Sequence, residues 1–248
     1  MSGVLPLLLT GYAAPILNNI VVTDIGSSTG AVLTLTAAIP AGSLICVTGV
    51  FFGSTATNLS VTTSGVALTW LTWQLPINGG IAGSNARTGF FAAVNSRAMA
   101  IGETLTLNRT GTGISTGGIQ AFYATKIGIS NPVDLYAQAF KKSPLGFAAA
   151  TSPASLTGGW AATGTKNLLV YVNVVSAYYA NPTTFTQTAG WTNPSINLIV
   201  GGTSGFILGS GYKIVSAGTI PAITNTTATI SAGSYNPWSL QLLSFKEA

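Results

Sequence analysis

The chain reads as all-β, a jelly-roll-like antiparallel β-sandwich built from two pseudo-symmetric halves with little helix. Three observations predict this. Within Gly164 to Val175, the residues Leu168, Val170, Val172 and Val174 alternate with their neighbours, a period of two that suits a strand and that no helix keeps on one face. A weaker copy lies at Ala41 to Phe51, and the segments after the two copies match in order: a Thr-rich run, a Gly near a Trp, a Gly-Phe strand and a closing apolar strand. No amphipathic helix of ten or more residues interrupts the pattern.

From the N-terminal side, Ile20 to Thr23 and Ala31 to Thr36 are β-prone runs separated by the turn cluster Gly26-Ser27-Ser28-Thr29-Gly30. Ile39-Pro40-Ala41-Gly42 breaks the chain before the first core strand. Leu59-Ser60-Val61-Thr62 alternates as a half-exposed strand does. Val66 to Trp73 alternates less cleanly, and its two Trp residues read as core or subunit-contact anchors. Asn78 to Asn85 is a Gly-rich loop. Arg87 to Val94 returns to strand, Ala98 to Glu103 turns, Leu105-Thr106-Leu107 alternates, and Ile119 to Tyr123 closes a first half of about seven strands.

After the turn Asn131-Pro132-Val133-Asp134 the alternation is lost as far as Ala154, which reads as an irregular crossover or short helix. The expected organisation is an arm over 1–17 and a sandwich over 18–248, with halves at 18–128 and 150–248 and the crossover at 129–149. One sandwich and two tandem sandwiches both remain open. In the second half Phe185 to Thr188 matches Leu59 to Thr62, and Ala189-Gly190-Trp191-Thr192 matches the Gly65 to Trp70 region. Ser204-Gly205-Phe206-Ile207 matches Thr88-Gly89-Phe90-Phe91, Ala217-Gly218 matches Ile101-Gly102, and Ser239 to Phe245 matches Gly118 to Tyr123.

Composition narrows the function. Charged residues make up 5 % of the 248 residues, against about 25 % in an ordinary soluble domain, while 47 % are hydrophobic. Such a chain folds, and its surface is made of hydroxyls, amides and apolar patches that are buried against partners; a homo-oligomeric assembly subunit is expected. The net charge of +5 is scattered, with only Lys141-Lys142 adjacent, so nucleic acid is not an expected partner. Cys46 is the one cysteine, which excludes an intrachain disulfide, and its place in a core strand makes it a small buried apolar residue. The opening Met1 to Thr10 is apolar but has Pro6 and no basic flank, and is read as an arm that packs on a neighbour. No apolar run reaches the about 18 residues of a membrane helix, and no membrane partner is expected.

The chemistry of most enzymes lacks its residues here. There is no His, so Ser-His and Cys-His nucleophile pairs are excluded. Asp24, Glu103, Asp134 and Glu247 are the only carboxylates, and each reads as a cap or surface charge rather than as half of an acid-base pair. No phosphate loop, dinucleotide fingerprint or calcium loop occurs, and neither a metal nor a cofactor is expected. Aromatic loops remain: Tyr178-Tyr179-Ala180-Asn181-Pro182 and Ser234-Tyr235-Asn236-Pro237-Trp238 suit a subunit contact and, second, a host glycan.

The order Pro40 to Val47, Ser64-Gly65, Thr88-Gly89-Phe90, Gly102 to Leu107 and Asn131-Pro132-Val133-Asp134, with a second copy after it ending in alternating leucines, resembles β-sandwich structural proteins of tailed bacteriophages. The resemblance extends from about Ile20 to Phe245 and implies a non-enzymatic virion part, foremost a capsid decoration or cement subunit whose partners are other virion proteins, the major capsid protein first. A tail or receptor-binding module recognising a host glycan, and a shell-forming jelly-roll capsid protein, are the alternatives. No catalytic set is carried over. The residues expected to touch partners are Leu5, Leu7, Leu8 and Leu9 in the arm and Tyr178, Tyr179, Tyr235 and Trp238 in the aromatic loops.

Overall fold

The structure, a computed structural model, describes residues 19–53, 58–78, 85–94, 96–111, 116–128, 130–141, 152–156, 161–178, 182–186, 189–193, 198–200, 204–220, 223–230 and 238–248. Every regular element among them is a β-strand. The first half supplies β1 (Val21–Ser28), β2 (Val32–Thr34), β3 (Leu44–Gly53), β4 (Asn58–Thr63), β5 (Leu71–Asn78), β6 (Asn85–Ala93), β7 (Thr104–Thr110) and β8 (Thr116–Thr125). The second supplies β9 (Val133–Lys141), β10 (Ser152–Leu156), β11 (Ala161–Tyr178), β12 (Pro182–Thr186), β13 (Leu198–Val200), β14 (Ser204–Thr219), β15 (Ile223–Ile230) and β16 (Trp238–Lys246).

These strands form four antiparallel sheets: β1-β8-β3-β6-β5 and β2-β7-β4, then β9-β16-β11-β14-β13 and β10-β15-β12. Counted one to eight within each half, both halves read 1-8-3-6-5 and 2-7-4. Strand periodicity explains the stacking. Leu44, Cys46 and Val50 of β3 enter one core, while Ile45, Val47 and Phe51 enter another with Leu59, Val61, Leu105 and Leu107 of the three-stranded sheet. β11 does the same, with Leu168, Val170, Val172 and Val174 on one side and Leu169 and Tyr171 on the other, against Ile220, Ile223 and Trp191.

The core that holds Leu44 and Cys46 also holds Leu168, Val170, Leu243 and Phe245, so the two five-stranded sheets pack face to face and join the halves. The stack is therefore three, five, five and three strands. Both faces of the central sheets are covered, which is why β3 and β11 are nearly continuous apolar runs. Phe90 stacks on Phe245 with ring centroids 6.3 Å apart, and Trp73 meets Phe90 edge-on at 5.9 Å. Each such fully buried side chain contributes about 1.5–3 kcal/mol. Gly49 of β3 is required by this closeness: a Cβ there would lie 2.4 Å from Leu107 Cδ2.

Several expectations are corrected. The crossover expected at 129–149 contains β9, which pairs along its length with β16. Its alternation was hidden because it lies between two cores: Leu135, Ala137 and Ala139 pack toward one, Val133 and Tyr136 toward the other. Val66 to Trp70 is a loop, and the strand starts at Leu71. Gly26 to Ser28, expected as a turn, continues β1 past a bulge where Gly26 has φ 128°. Ala217-Gly218 lies inside β14, whereas Ile101-Gly102 is a turn. The Phe90 to Phe206 match is also displaced. Leu44 pairs with Ala124 and Leu168 with Phe245, and counting from these, Thr48 and Val172 coincide; their partners are Phe90 and Ser210.

Candidate interaction surface

Strand register assigns every element an end. Leu44 pairs with Ala124, Val21 with Thr125, Leu71 with Ala92 and Cys46 with Ala92, so Val21, Leu44 and Leu71 share one end of the first half. The start of the described chain and the C-terminus lie at this end too. Lys166 Nζ donates to Asn19 Oδ1 at 2.8 Å, Ile127 bridges Glu247, and the backbone amides of Gly128 and Ala248 donate to the carbonyls of Lys246 and Lys126, each at 2.9 Å. We call it the terminal end.

The terminal end carries five of the six exposed large hydrophobics among the described residues. Among the described residues the exposed large hydrophobics are Val21, Val32, Val66, Leu71, Ile101 and Ile214. All but Val32 lie here. Ile214 pairs with Leu168 near the start of the second core strand, and Ile101 sits on the turn before β7. Val66 and Ile101 are the most open, at 74 % and 68 % exposure. Isolated exposed apolar residues are ordinary, and five at one end of the fold make that end the candidate interaction surface.

One corner of this end is rigidly built. Arg97 and Glu103 pair through both guanidinium arms, Nη1 to Oε1 at 2.9 Å and Nη2 to Oε2 at 2.5 Å. Arg97 Nε donates to the Val66 carbonyl at 2.9 Å, the Thr63 hydroxyl donates to the same carbonyl at 3.0 Å, and the Ala100 amide donates to Glu103 Oε1 at 2.8 Å. A paired, hydrogen-bonded carboxylate is stabilised in its ionised form: the Arg97 hydrogen bond first, then the Ala100 amide, brings Glu103 down to about 2. Gly65 makes room for the pair, since a Cβ there would lie 2.3 Å from Glu103 Oε2. Between this clamp and β6 runs a cleft of about 250 Å³ lined by Val66, Ala67, Leu68, Thr69, Ala93, Val94, Ser96 and Arg97.

Asp134 forms a second polar centre at the same end. Its side chain is 4 % exposed. It accepts from the Thr163 amide at 2.8 Å, from the Thr163 hydroxyl and from Asn167 Nδ2 at 2.9 Å, and it pairs with Lys246 Nζ at 3.3 Å. Burial alone would raise its carboxyl, but the Thr163 hydrogen bonds and Lys246 outweigh burial and hold it below the ordinary range. Asp134 is thus an internal strut, not the cap or surface charge expected of it. Glu103, expected likewise, is a clamp residue.

The residues singled out for contact fall elsewhere. Leu5, Leu7, Leu8, Leu9, Tyr179 and Tyr235 lie outside the described residues. Tyr178 ends β11 and Trp238 begins β16, both at the end opposite the termini, and their side chains also lie outside what is described. Sequence reasoning missed Val66, Leu71 and Ile101, whose only signal was an apolar residue beside Gly, Thr or Trp in a loop or turn or at a strand start. Cys46 is buried in the central core, where desolvation raises its thiol well above the ordinary value. Among the described residues no group of three His, Cys, Asp or Glu could hold a metal ion, and no helix is long and apolar enough to cross a membrane. Compared with known protein families, with curated proteins and with solved structures, the chain matches none.

Proposed function

We propose that the chain is a non-enzymatic structural subunit of a virion, a decoration or cement protein that attaches to the shell by its terminal end. In this reading each half is a jelly-roll unit, the two arose by duplication, and their shared strand order of 1-8-3-6-5 and 2-7-4 is what remains of it. The observation that carries the functional reading is the gathering of Val21, Val66, Leu71, Ile101 and Ile214 at one end of a chain with 5 % charged residues. Apolar contacts of this kind form the core of a protein-protein interface, with hydroxyls and amides as its rim. The phage-like order of motifs supplies the particle as the setting. Attachment tests it: a Val66→Asp, Ile101→Asp chain added to particles lacking the protein should fail to bind while folding normally, and binding equal to the unsubstituted chain overturns the reading.

A further inference from the structure

We infer that the cleft beside the Arg97–Glu103 clamp receives the apolar N-terminal segment Val4-Leu5-Pro6-Leu7-Leu8-Leu9 of a neighbouring copy. The inference rests on the proposal of a virion subunit and names one of that subunit's contacts. The cleft is preformed. Val66, Ala67, Leu68, Ala93 and Val94 give it apolar walls, and its loop is fixed by the Arg97 and Thr63 hydrogen bonds to the Val66 carbonyl. At about 250 Å³ it is below the roughly 300–1,000 Å³ of a pocket for a whole small molecule, and suits the side chains of a short peptide.

Ser96 belongs to the cleft's lining, but its hydroxyl is not open to it. Ser96 is 3 % exposed, and its Oγ is buried with no hydrogen bond. An atom closed to water is equally out of reach of an incoming segment, which therefore meets the cleft through its apolar walls. The charge on the cleft is already cancelled, because Arg97 is spanned by Glu103, so an uncharged ligand is favoured. Residues 1–18 contain no Asp, Glu, Lys or Arg.

Reach and area point to a neighbour. The described chain begins at Asn19, at the terminal end by β1, and the cleft lies at the same end by β5 and β6, roughly 19 Å away across four strand spacings. The ten residues from Leu9 to Asn19 extend to at most about 36 Å, which also spans the gap to an adjoining copy. The cleft takes side chains of such a segment and leaves Val21 and Ile214 bare. The body of a second copy, brought in with its arm, covers them.

Cross-linking of the full chain tests this, with Cys46 buried and unreactive. Chains carrying Leu7→Cys and differently tagged chains carrying Ala67→Cys, mixed and mildly oxidised, should give a disulfide-linked mixed dimer, and Thr62→Cys on the outer sheet face should not. Ala67→Glu, at an exposed wall of the cleft, supplies the second readout: it should weaken self-association by about tenfold or more with the melting temperature of the isolated chain unchanged, and unchanged self-association would overturn the inference. No link, or a link that forms only within one chain of the doubly substituted protein, overturns the inference. If the link fails while the chain still attaches to particles, the arm contact is wrong and the subunit reading stands. If the link forms and no particle is bound, the subunit reading falls instead.

Discussion

Thr88 Oγ1 and Ser239 Oγ lie 3.2 Å apart in the buried plane where the two halves meet, although 151 residues separate them in sequence. Thr88 is on strand six of the first half and Ser239 on strand eight of the second. The reciprocal strands also touch, through Ser210 Oγ of β14 donating to Gln120 Oε1 of β8 at 3.4 Å. Two polar pairs therefore bridge the two halves within the buried interface. Replacing Thr88 by Val should cost about 1–2 kcal/mol, because the Ser239 hydroxyl loses its partner; Ser239→Ala leaves Thr88 its bond to the Leu75 carbonyl at 3.4 Å and should cost less, and the double variant should cost less than the sum. Denaturant melts of the four chains measure this, and additive costs would show that the pair is not coupled.

The shared core makes a second prediction. Phe90, Phe122 and Cys46 from one half share a core with Leu168, Phe206 and Phe245 from the other. Each half also holds a core of its own, but opening either one exposes the shared core, so urea unfolding followed by tryptophan fluorescence and by far-UV circular dichroism should give one coincident transition. Two separated transitions would mean that the halves fold independently.

The strand layout was legible where one rule acted alone. Leu59 and Val61 of β4 are buried between exposed Asn58, Ser60 and Thr62, as the alternation stated, and β3 and β11 were visible as apolar cores. β9 was not, because apolar cores on both its sides erased the polar face that alternation needs. The terminal surface was invisible for a different reason. Val21, Leu71, Ile101 and Ile214 come from separate strands and turns, and only strand register brings them to one end. The Arg97–Glu103 clamp depends on the turn between its two residues, and the Asp134 centre on pairing across β9, β16 and β11.

The Asp134 centre should make the fold sensitive to acid. Its carboxyl is held below the unfolded value, so its contribution is complete above about pH 4 and is lost as pH falls through the folded value. Asp134→Asn should lower stability at pH 7 and flatten its fall between neutral pH and pH 3. Thermal melts across that range check this. An unchanged pH slope would remove Asp134 from the account.

The clamp is tested at Gly65. A side chain there collides with the ends of Arg97 and Glu103, which can swing away, so Gly65→Ala should open the ion pair and leave the fold intact. Glu103, brought to about 2 chiefly by that pair, should then titrate higher, still below the ordinary carboxylate value because the Ala100 amide remains, as followed by carboxyl carbon NMR. A Glu103 that still titrates near 2 would show that the pair survives.

The most direct measurement is the position and orientation of the chain on intact particles, by electron cryo-microscopy of virions carrying a tagged copy. A shell-attached subunit should give ordered density on the capsid, with Val66, Leu71 and Ile101 facing neighbouring protein and the end that carries Tyr178 and Trp238 turned away. Particles that lack the chain altogether, or hold it with the terminal end facing solvent, would contradict that role.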